Sequence, residues 1–339
     1  METLECFGFI ITWYIVIRIL IISWLWPLLK YVWIIYLQNY NDHNRKYFQP
    51  SSDKWAIITG GTDGIGLAYC HQLAEIGYPL FIISRSLKKL ESIAQQLREQ
   101  YPQCPEIRIF QFDFNDNFES NNYDNLEMAI EQLSNIDILV NNVGISYRTA
   151  EFFTDITRIE PNFHRSIINV NIVSVLRLTL ICLPRMIEQQ NGIIINISSL
   201  SAICPMPLLS AYSASKACVD YFSQCLCLEL NDQYPKIFIQ SILPGFVATK
   251  MSKMSPSRTV PSADSYVHSA ILSIGHTNRT FVFILHCLHY KLYQFSNHCF
   301  IDIYRRIAYK QMLKLRQKYL RKEALAKYPL RPRIHNQQV

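Results

Sequence analysis

Six short apolar runs recur along the chain, and each is followed by a longer stretch with helical spacing. They are WAIIT from Trp55, PLFIIS from Pro79, IRIFQF from Ile107, DILVNN from Asp137, GIIINIS from Gly192 and KIFIQSIL from Lys236. A strand that is apolar on both sides cannot face water, so it must be covered above and below. Strands alternating with helices solve this by lying parallel, with the helices packed on both faces. The spacing predicts helices from the glycine cluster to about Ile76 and over 86–100, 122–134, 161–189 and 211–231. The expected fold class is α/β, a doubly wound parallel sheet.

The first strand runs into TGGTDGIG, residues 59–66, which holds four of the ten glycines in the chain. Glycine weakens helices and strands, so such a cluster points to a tight turn or to a close approach by something else. A strand, a glycine-rich turn and a helix start together make a cradle for a dinucleotide pyrophosphate, because the backbone comes close and the free N–H groups of the helix meet negative charge. The spacing is G-x-x-x-G-x-G through Gly60, Gly64 and Gly66. Taken alone, these glycines also read as ordinary turn punctuation.

Downstream, YSASK sets Tyr212 and Lys216 four residues apart, on one face of a helix. Ser199 stands thirteen residues before the tyrosine, at a strand end in NISSL, with Ser198 and Ser201 as neighbours. NNVG lies at 141–144, and Asn171 sits in INVNI. Five motifs in this order and register resemble the short-chain dehydrogenase/reductase family over about residues 53–285. The resemblance implies a Rossmann-type fold that binds a nicotinamide dinucleotide and transfers hydride to or from a carbonyl carbon. Tyrosine is a poor acid–base at neutral pH, with a free pKa near 10, and a neighbouring ammonium favours the phenolate. Tyr212 is therefore expected to exchange the proton, Lys216 to lower its pKa and hold the ribose, Ser199 to polarise the carbonyl, and Asn171 to hold a relay water. The cradle is expected to comprise Gly60, Thr62, Asp63, Gly64, Ile65 and Gly66. Asp113 resembles the adenine contact of the family, Asn141 and Gly144 the lining from adenosine to ribose, and Pro244, Gly245 and Thr249 the segment at the nicotinamide end.

The second strand ends in IISRS, with Ser84 and Arg85 where relatives that use NAD commonly place an acid. An arginine there can pair with a 2′-phosphate, which favours NADPH. Four phrases, TDGIG, NNVGISY, PMPLLSAYSASK and LPGFVATKM, narrow the resemblance to the microsomal 17β-hydroxysteroid dehydrogenase / very-long-chain 3-oxoacyl-CoA reductase group, and RTFVF at 279–283 matches its last strand region. This resemblance implies NADPH-dependent reduction of a 3-oxoacyl-CoA, with a 17-ketosteroid as the alternative substrate. A non-catalytic nucleotide-binding membrane scaffold is a third reading, against which the intact Tyr212 and Lys216 stand.

The ends of the chain differ from the body. Residues 1–40 read as a hydrophobic membrane anchor, broken by Arg18 and Lys30 and carrying Trp13, Trp24, Trp26 and Trp33. Lys30, Arg45 and Lys46 flank it and put the body on the cytosolic side, and the resemblance implies the endoplasmic reticulum membrane. Of the net charge of +7, a segment from Arg305 to Arg333 with eleven Lys or Arg and one acid supplies +10, which leaves −3 for the remainder. Residues 286–339 are thus expected as a basic tail, either solvated or lying on an anionic membrane face. The body carries no nucleic-acid reading module, so no nucleic-acid partner is expected. The ten cysteines follow no framework spacing, as in a reducing compartment, and the His and Cys between His286 and Cys299 match no metal-ligand spacing. The resemblance also implies a homodimer built on helices 161–189 and 211–231.

Overall fold

The computed structural model describes residues 11–18, isolated positions between 22 and 33, and residues 47–115 and 122–327, with backbone alone at 297–299 and 322–327. Most of the expected anchor therefore lies outside the described residues. The part that is described, 11–18, is helical, with exposed Ile11, Trp13, Ile15 and Ile17.

Seven parallel strands form one sheet in the order β3-β2-β1-β4-β5-β6-β7. They are β1 (Lys54–Thr59), β2 (Leu80–Ser84), β3 (Ile107–Gln111), β4 (Asn135–Asn141), β5 (Gly192–Ile197), β6 (Ile237–Ile242) and β7 (Arg279–Thr280). The six apolar runs become the first six strands. Ile57, Ile58, Ile82, Ile83, Leu139 and Ile194 are completely buried, because helices cover both faces. Each such side chain contributes roughly 1.5–3 kcal/mol of transfer free energy. The seventh strand is only two residues long, since Val282 takes a left-handed turn at φ 63°.

The covering helices are α1 (Gly64–Ile76), α2 (Leu87–Gln100), α3 (Asn122–Glu131), α4 (Phe153–Ile159), α5 (Phe163–Ile168), α6 (Ser174–Gln189), α7 (Ser210–Leu230) and α8 (Ala263–Ser273). Gly77 ends α1 in the left-handed conformation at φ 105°, with its N–H donating to the carbonyls of Ala74 and Leu73. The helix expected over 161–189 is interrupted. Residues Asn169–Val173 form a π-turn, in which the Ser174 N–H reaches back to the Asn169 carbonyl while the Ser174 hydroxyl donates to the Val170 carbonyl at 2.7 Å. That back-bond serves a carbonyl which the wider turn leaves without its usual N–H. Among the described residues, only Phe163–Gln189 is long and apolar enough to cross a membrane, but Leu178, Cys182 and Met186 on its inner side are completely buried in the core.

Two further helices, α9 (Ile284–Cys299) and α10 (Ile301–Lys327), end the described residues. The basic tail is not solvated all round. Met312 of α10 is 4% exposed against Ala150 and Leu208, and Arg316 binds Glu151, itself 2% exposed, at 2.7 Å. The last helix thus folds back onto the loops that follow β4 and β5.

Candidate active site

The sheet order reverses between β1 and β4, which opens a crevice beyond their carboxyl ends. Thr59, the last residue of β1, stitches the crevice together. Its hydroxyl accepts the N–H groups of Asn142 and Val143, each at 2.9 Å, and donates to the Val140 carbonyl at 3.2 Å. The amide of Asn142 donates to the Thr59 carbonyl at 2.9 Å. Gly60 and Gly64 have φ of 65° and 54°, conformations that L side chains rarely adopt. Gly66 has another requirement, because a Cβ there would collide with the Gly60 carbonyl and the Asn142 amide. Thr62 pairs with the Ser84 hydroxyl at 3.0 Å, and Ile65 packs against the core beneath α1. Asp63, at the start of α1, holds Lys250 at 2.9 Å, and a Cβ on Gly64 would meet Thr249 at 3.0 Å. Thr249 therefore lies against the glycine turn itself. Arg85 is exposed just beyond β2, and its side chain has no hydrogen bond or ion pair within the described chain. Asp113, exposed beyond β3, accepts the Asn115 N–H at 3.0 Å.

The carbonyl-chemistry residues gather at the carboxyl ends of β4 and β5. The helical spacing of Tyr212 and Lys216 on α7 brings both to the β5 end. The Ser199 hydroxyl lies near the Tyr212 phenol and lowers its pKa, but burial raises that pKa further. Lys216 is 5% exposed and donates to the Ile197 carbonyl at 2.8 Å, and burial pulls its ammonium down to about 8. The three adjacent serines separate cleanly. Ser198 donates to the Lys216 carbonyl at 2.7 Å, tying β5 to α7. Ser201 bonds Ser199 at 3.0 Å, and Ser199 alone meets the tyrosine. The Pro244 carbonyl receives the Leu200 N–H at 2.8 Å and lies 3.5 Å from the Ser199 hydroxyl. Gly245 lies under α9, where its N–H donates to His286 Nδ1 at 3.2 Å and a Cβ would sit 2.6 Å from that ring. Gly144 also leaves no room for a side chain, since a Cβ would come within 3.3 Å of the Lys216 ammonium and 3.4 Å of the Asn171 carbonyl oxygen.

Comparison with known proteins agrees with this geometry. The short chain dehydrogenase family model matches residues 54–259. The very-long-chain 3-oxoacyl-CoA reductase of Rattus norvegicus is 41% identical over 247 residues, covering 72% of this chain and 76% of the rat protein. The Homo sapiens protein of the same name is 41% identical over 240 residues, 70% of this chain and 74% of the human one. This chain is a short-chain dehydrogenase. Among solved structures, the short-chain dehydrogenase from Sphingobium yanoikuyae in complex with NADPH superposes with a TM-score of 0.57 at 26% identity, covering 65% of this chain and 84% of that one. The bulky-bulky ketone specific alcohol dehydrogenase from Comamonas testosteroni gives 0.56 at 26% identity, with 65% and 81% covered.

One expectation, a lowered Tyr212 pKa, changes in this dehydrogenase, and Asn141 and Asn171 find partners within the protein. Asn141, expected along the path from adenosine to ribose, is 2% exposed and turns its amide into the core, donating to Asn196 at 2.9 Å and Thr179 at 3.3 Å. The strand pleat sends its neighbour Asn142 to the glycine turn instead. Asn171, expected to hold a relay water, uses both amide protons within the protein. It donates to the Ile145 carbonyl at 3.0 Å and to Ser215 at 2.9 Å, and accepts the Ile145 N–H at 2.8 Å. Its side chain thereby pins the loop after β4 to the π-turn and to α7. Lys216 does not bring the Tyr212 pKa below its ordinary value, because the ammonium is directed at the Ile197 carbonyl and burial of the phenol dominates. Thr59, Asn142 and Ser215 were missed by sequence reasoning. All three lie inside motifs that were read, in TGGTDGIG, NNVG and YSASK, but their roles depend on partners from other segments.

Proposed function

We propose that this dehydrogenase reduces very-long-chain 3-oxoacyl-CoA to 3-hydroxyacyl-CoA with NADPH, and the observation that carries the reading is the gathering of Tyr212, Ser199 and a nearly buried Lys216 at the carboxyl end of β5. The similarity of 41% to reductases of that name supports the substrate class. The cradle fits a dinucleotide, because Gly60 and Gly64 hold left-handed turns at the start of α1 and Arg85 offers an exposed guanidinium, without a partner among the described residues, where a 2′-phosphate belongs. When bound, NADPH supplies the hydride. The chain supplies the proton and its control. Ser199 donates a hydrogen bond to the ketone oxygen and polarises it. The raised pKa of Tyr212 keeps the phenol protonated at neutral pH, the form that a reduction needs, and it passes that proton to the alkoxide oxygen. Lys216, charged below about pH 8, steadies the phenolate that remains. Asn171 acts by holding Gly144 and Ile145 in place against Lys216.

The test is turnover of a 3-oxoacyl-CoA by membranes containing the full chain and NADPH, beside a 17-ketosteroid. Tyr212→Phe is expected to lower turnover at least about a hundredfold with NADPH binding kept. Turnover of the steroid alone would replace the acyl-CoA reading, and undiminished turnover by the variant would remove the tyrosine from its role.

The same proposal extends to the surroundings. A stripe of exposed Leu288, Leu292, Phe295, Phe300, Ile303 and Ile307 runs along α9 and α10 among Lys291, Arg305, Arg306 and Lys310, which suits docking on the cytosolic face of the endoplasmic reticulum membrane. Exposed Leu176, Leu180, Tyr221 and Leu228 on α6 and α7 suit a homodimer. Cross-linking that yields only monomer would exclude the dimer.

A further inference from the structure

The segments around the mouth of the crevice share a charge pattern that carbonyl chemistry does not require. The loop after β6, from Thr249 to Ser262, contains Lys250, Lys253 and Arg258 and no acid, and the loop after β4, from Asn142 to Ala150, contains Arg148 and no acid. Lys250 is neutralised by Asp63, and the other three are exposed. The only carboxylate that closely follows Arg148, Glu151, is buried and bound to Arg316.

Lys253 is held in place at a cost. Its φ of 55° is left-handed, a conformation that a residue with a Cβ keeps only when its surroundings impose it. Here the imposition comes from Ser252, whose hydroxyl donates to the Val247 carbonyl at 2.6 Å and whose N–H donates to the Thr249 hydroxyl at 3.2 Å. The result is that the Lys253 ammonium crosses the crevice. It donates to the Arg148 carbonyl at 2.8 Å and sits 4.2 Å from the Tyr319 ring centroid on α10. The two loops joined there each reach one part of the site. Thr249, four residues before Lys253, touches the glycine turn, and Tyr147, next to Arg148, accepts the N–H of Ala211 beside Tyr212. On the same loop as Lys253, Phe246, Met251 and Met254 are exposed apolar groups.

We propose that Lys253 and Arg148 form the anchoring site for the phosphates of the coenzyme A portion of the substrate, with Phe246, Met251 and Met254 flanking the acyl chain. This rests on the reading of the substrate as a 3-oxoacyl-CoA. A steroid carries no phosphate and gives these two cations, which pair with no carboxylate among the described residues, nothing to bind. A phosphate is drawn to clustered cations, and the Lys253 ammonium is fixed on the backbone of the residue that carries the Arg148 guanidinium. The basic helix α10 acts in positioning, since Tyr319 and the Arg316–Glu151 pair hold the two loops at one distance.

The experiment compares one 3-oxoacyl chain as its coenzyme A thioester and as its N-acetylcysteamine thioester, which keeps the thioester and lacks the phosphates, using the full-length protein in detergent with saturating NADPH. Lys253→Ala and Arg148→Ala are each expected to raise KM for the coenzyme A thioester roughly tenfold, and to change kcat/KM for the truncated thioester less than about twofold. Lys253→Arg is expected to retain most of the affinity, and 3′-phosphoadenosine 5′-phosphate is expected to inhibit the wild type more strongly than either alanine variant. Equal losses with both thioesters would make Lys253 a brace for the loop and overturn the proposal, as would no loss with either. Absence of turnover with both thioesters in the wild type would instead overturn the reductase reading on which it stands.

Discussion

Lys216 is 5% exposed, and burial lowers its ammonium from 10.5 to about 8. At 1.36 kcal/mol for each pH unit between those values, a charged Lys216 costs the folded state roughly 3 kcal/mol. Below pH 8 the amine is charged in both states, and the full cost is present. Between pH 8 and 10.5 the folded chain has released the proton and the unfolded chain still binds it, so stability rises with pH. Above 10.5 the cost is gone. Lys216→Met fills a similar volume without the charge. It also removes the bond to the Ile197 carbonyl, worth about 1 kcal/mol at every pH. The variant is therefore expected to be more stable than the wild type by roughly 2 kcal/mol at pH 7, and to have lost that advantage by pH 10. Other groups that titrate in this range do so in both proteins and drop out of the difference. Thermal unfolding of both full-length proteins in the same detergent at pH 7, 8.5 and 10 reads this out, at roughly 2–4 °C per kcal/mol for a domain of this size. The gap in Tm is expected to close and then reverse. A variant that is less stable at pH 7, by an amount that does not change with pH, would refute the reasoning, because it would mean that Lys216 carries no burial cost. Catalysis is expected to be lost in the variant, so stability and activity move in opposite directions at this one position.

Arg85→Asp is expected to shift the ratio of kcat/KM for NADPH over NADH down by ten- to a hundredfold, since a carboxylate replaces the exposed guanidinium that directly follows β2; an unchanged ratio would place the 2′-phosphate elsewhere. Ser199→Ala is expected to lower kcat by roughly a hundredfold, as for loss of one donor to a developing oxyanion, whereas Ser198→Ala is expected to lower Tm through the lost bond to Lys216 while keeping most of kcat. The opposite pattern would exchange the roles of the two serines. Asn278 lies exposed in a glycosylation sequon, and a body in the cytosol is expected to leave it unmodified in cells; a shift in mass removed by endoglycosidase would put the body in the lumen.

Much of the fold was legible because its strands are apolar throughout. A run such as GIIINIS can only be a central strand, and its burial on both faces follows from the residue types alone. The two-residue β7 and the π-turn were not legible. Each depends on which carbonyl finds which donor, and in the π-turn that choice is made by the Ser174 hydroxyl reaching Val170. Residues fixed by spacing on one helix, such as Tyr212 and Lys216, were legible for the same reason as the strands, since four residues make about one turn.

The order of strands and helices, the glycine turn, the tyrosine–lysine pair and the arginine after β2 were settled by the sequence itself, because each depends on chain-local geometry or on a residue's own chemistry. Which asparagine of the pair faces the crevice, which serine meets the phenol and whether the lysine lowers or fails to lower its pKa were decided by the tertiary structure. These depend on the pleat of β4, on the carbonyl at Ile197 and on the water excluded by packing, which arise only when distant segments meet. The return of the basic last helix onto the substrate side belongs to the same group. Its inner face reads as one more helical repeat until Met312 and Arg316 find Leu208 and Glu151 more than a hundred residues away.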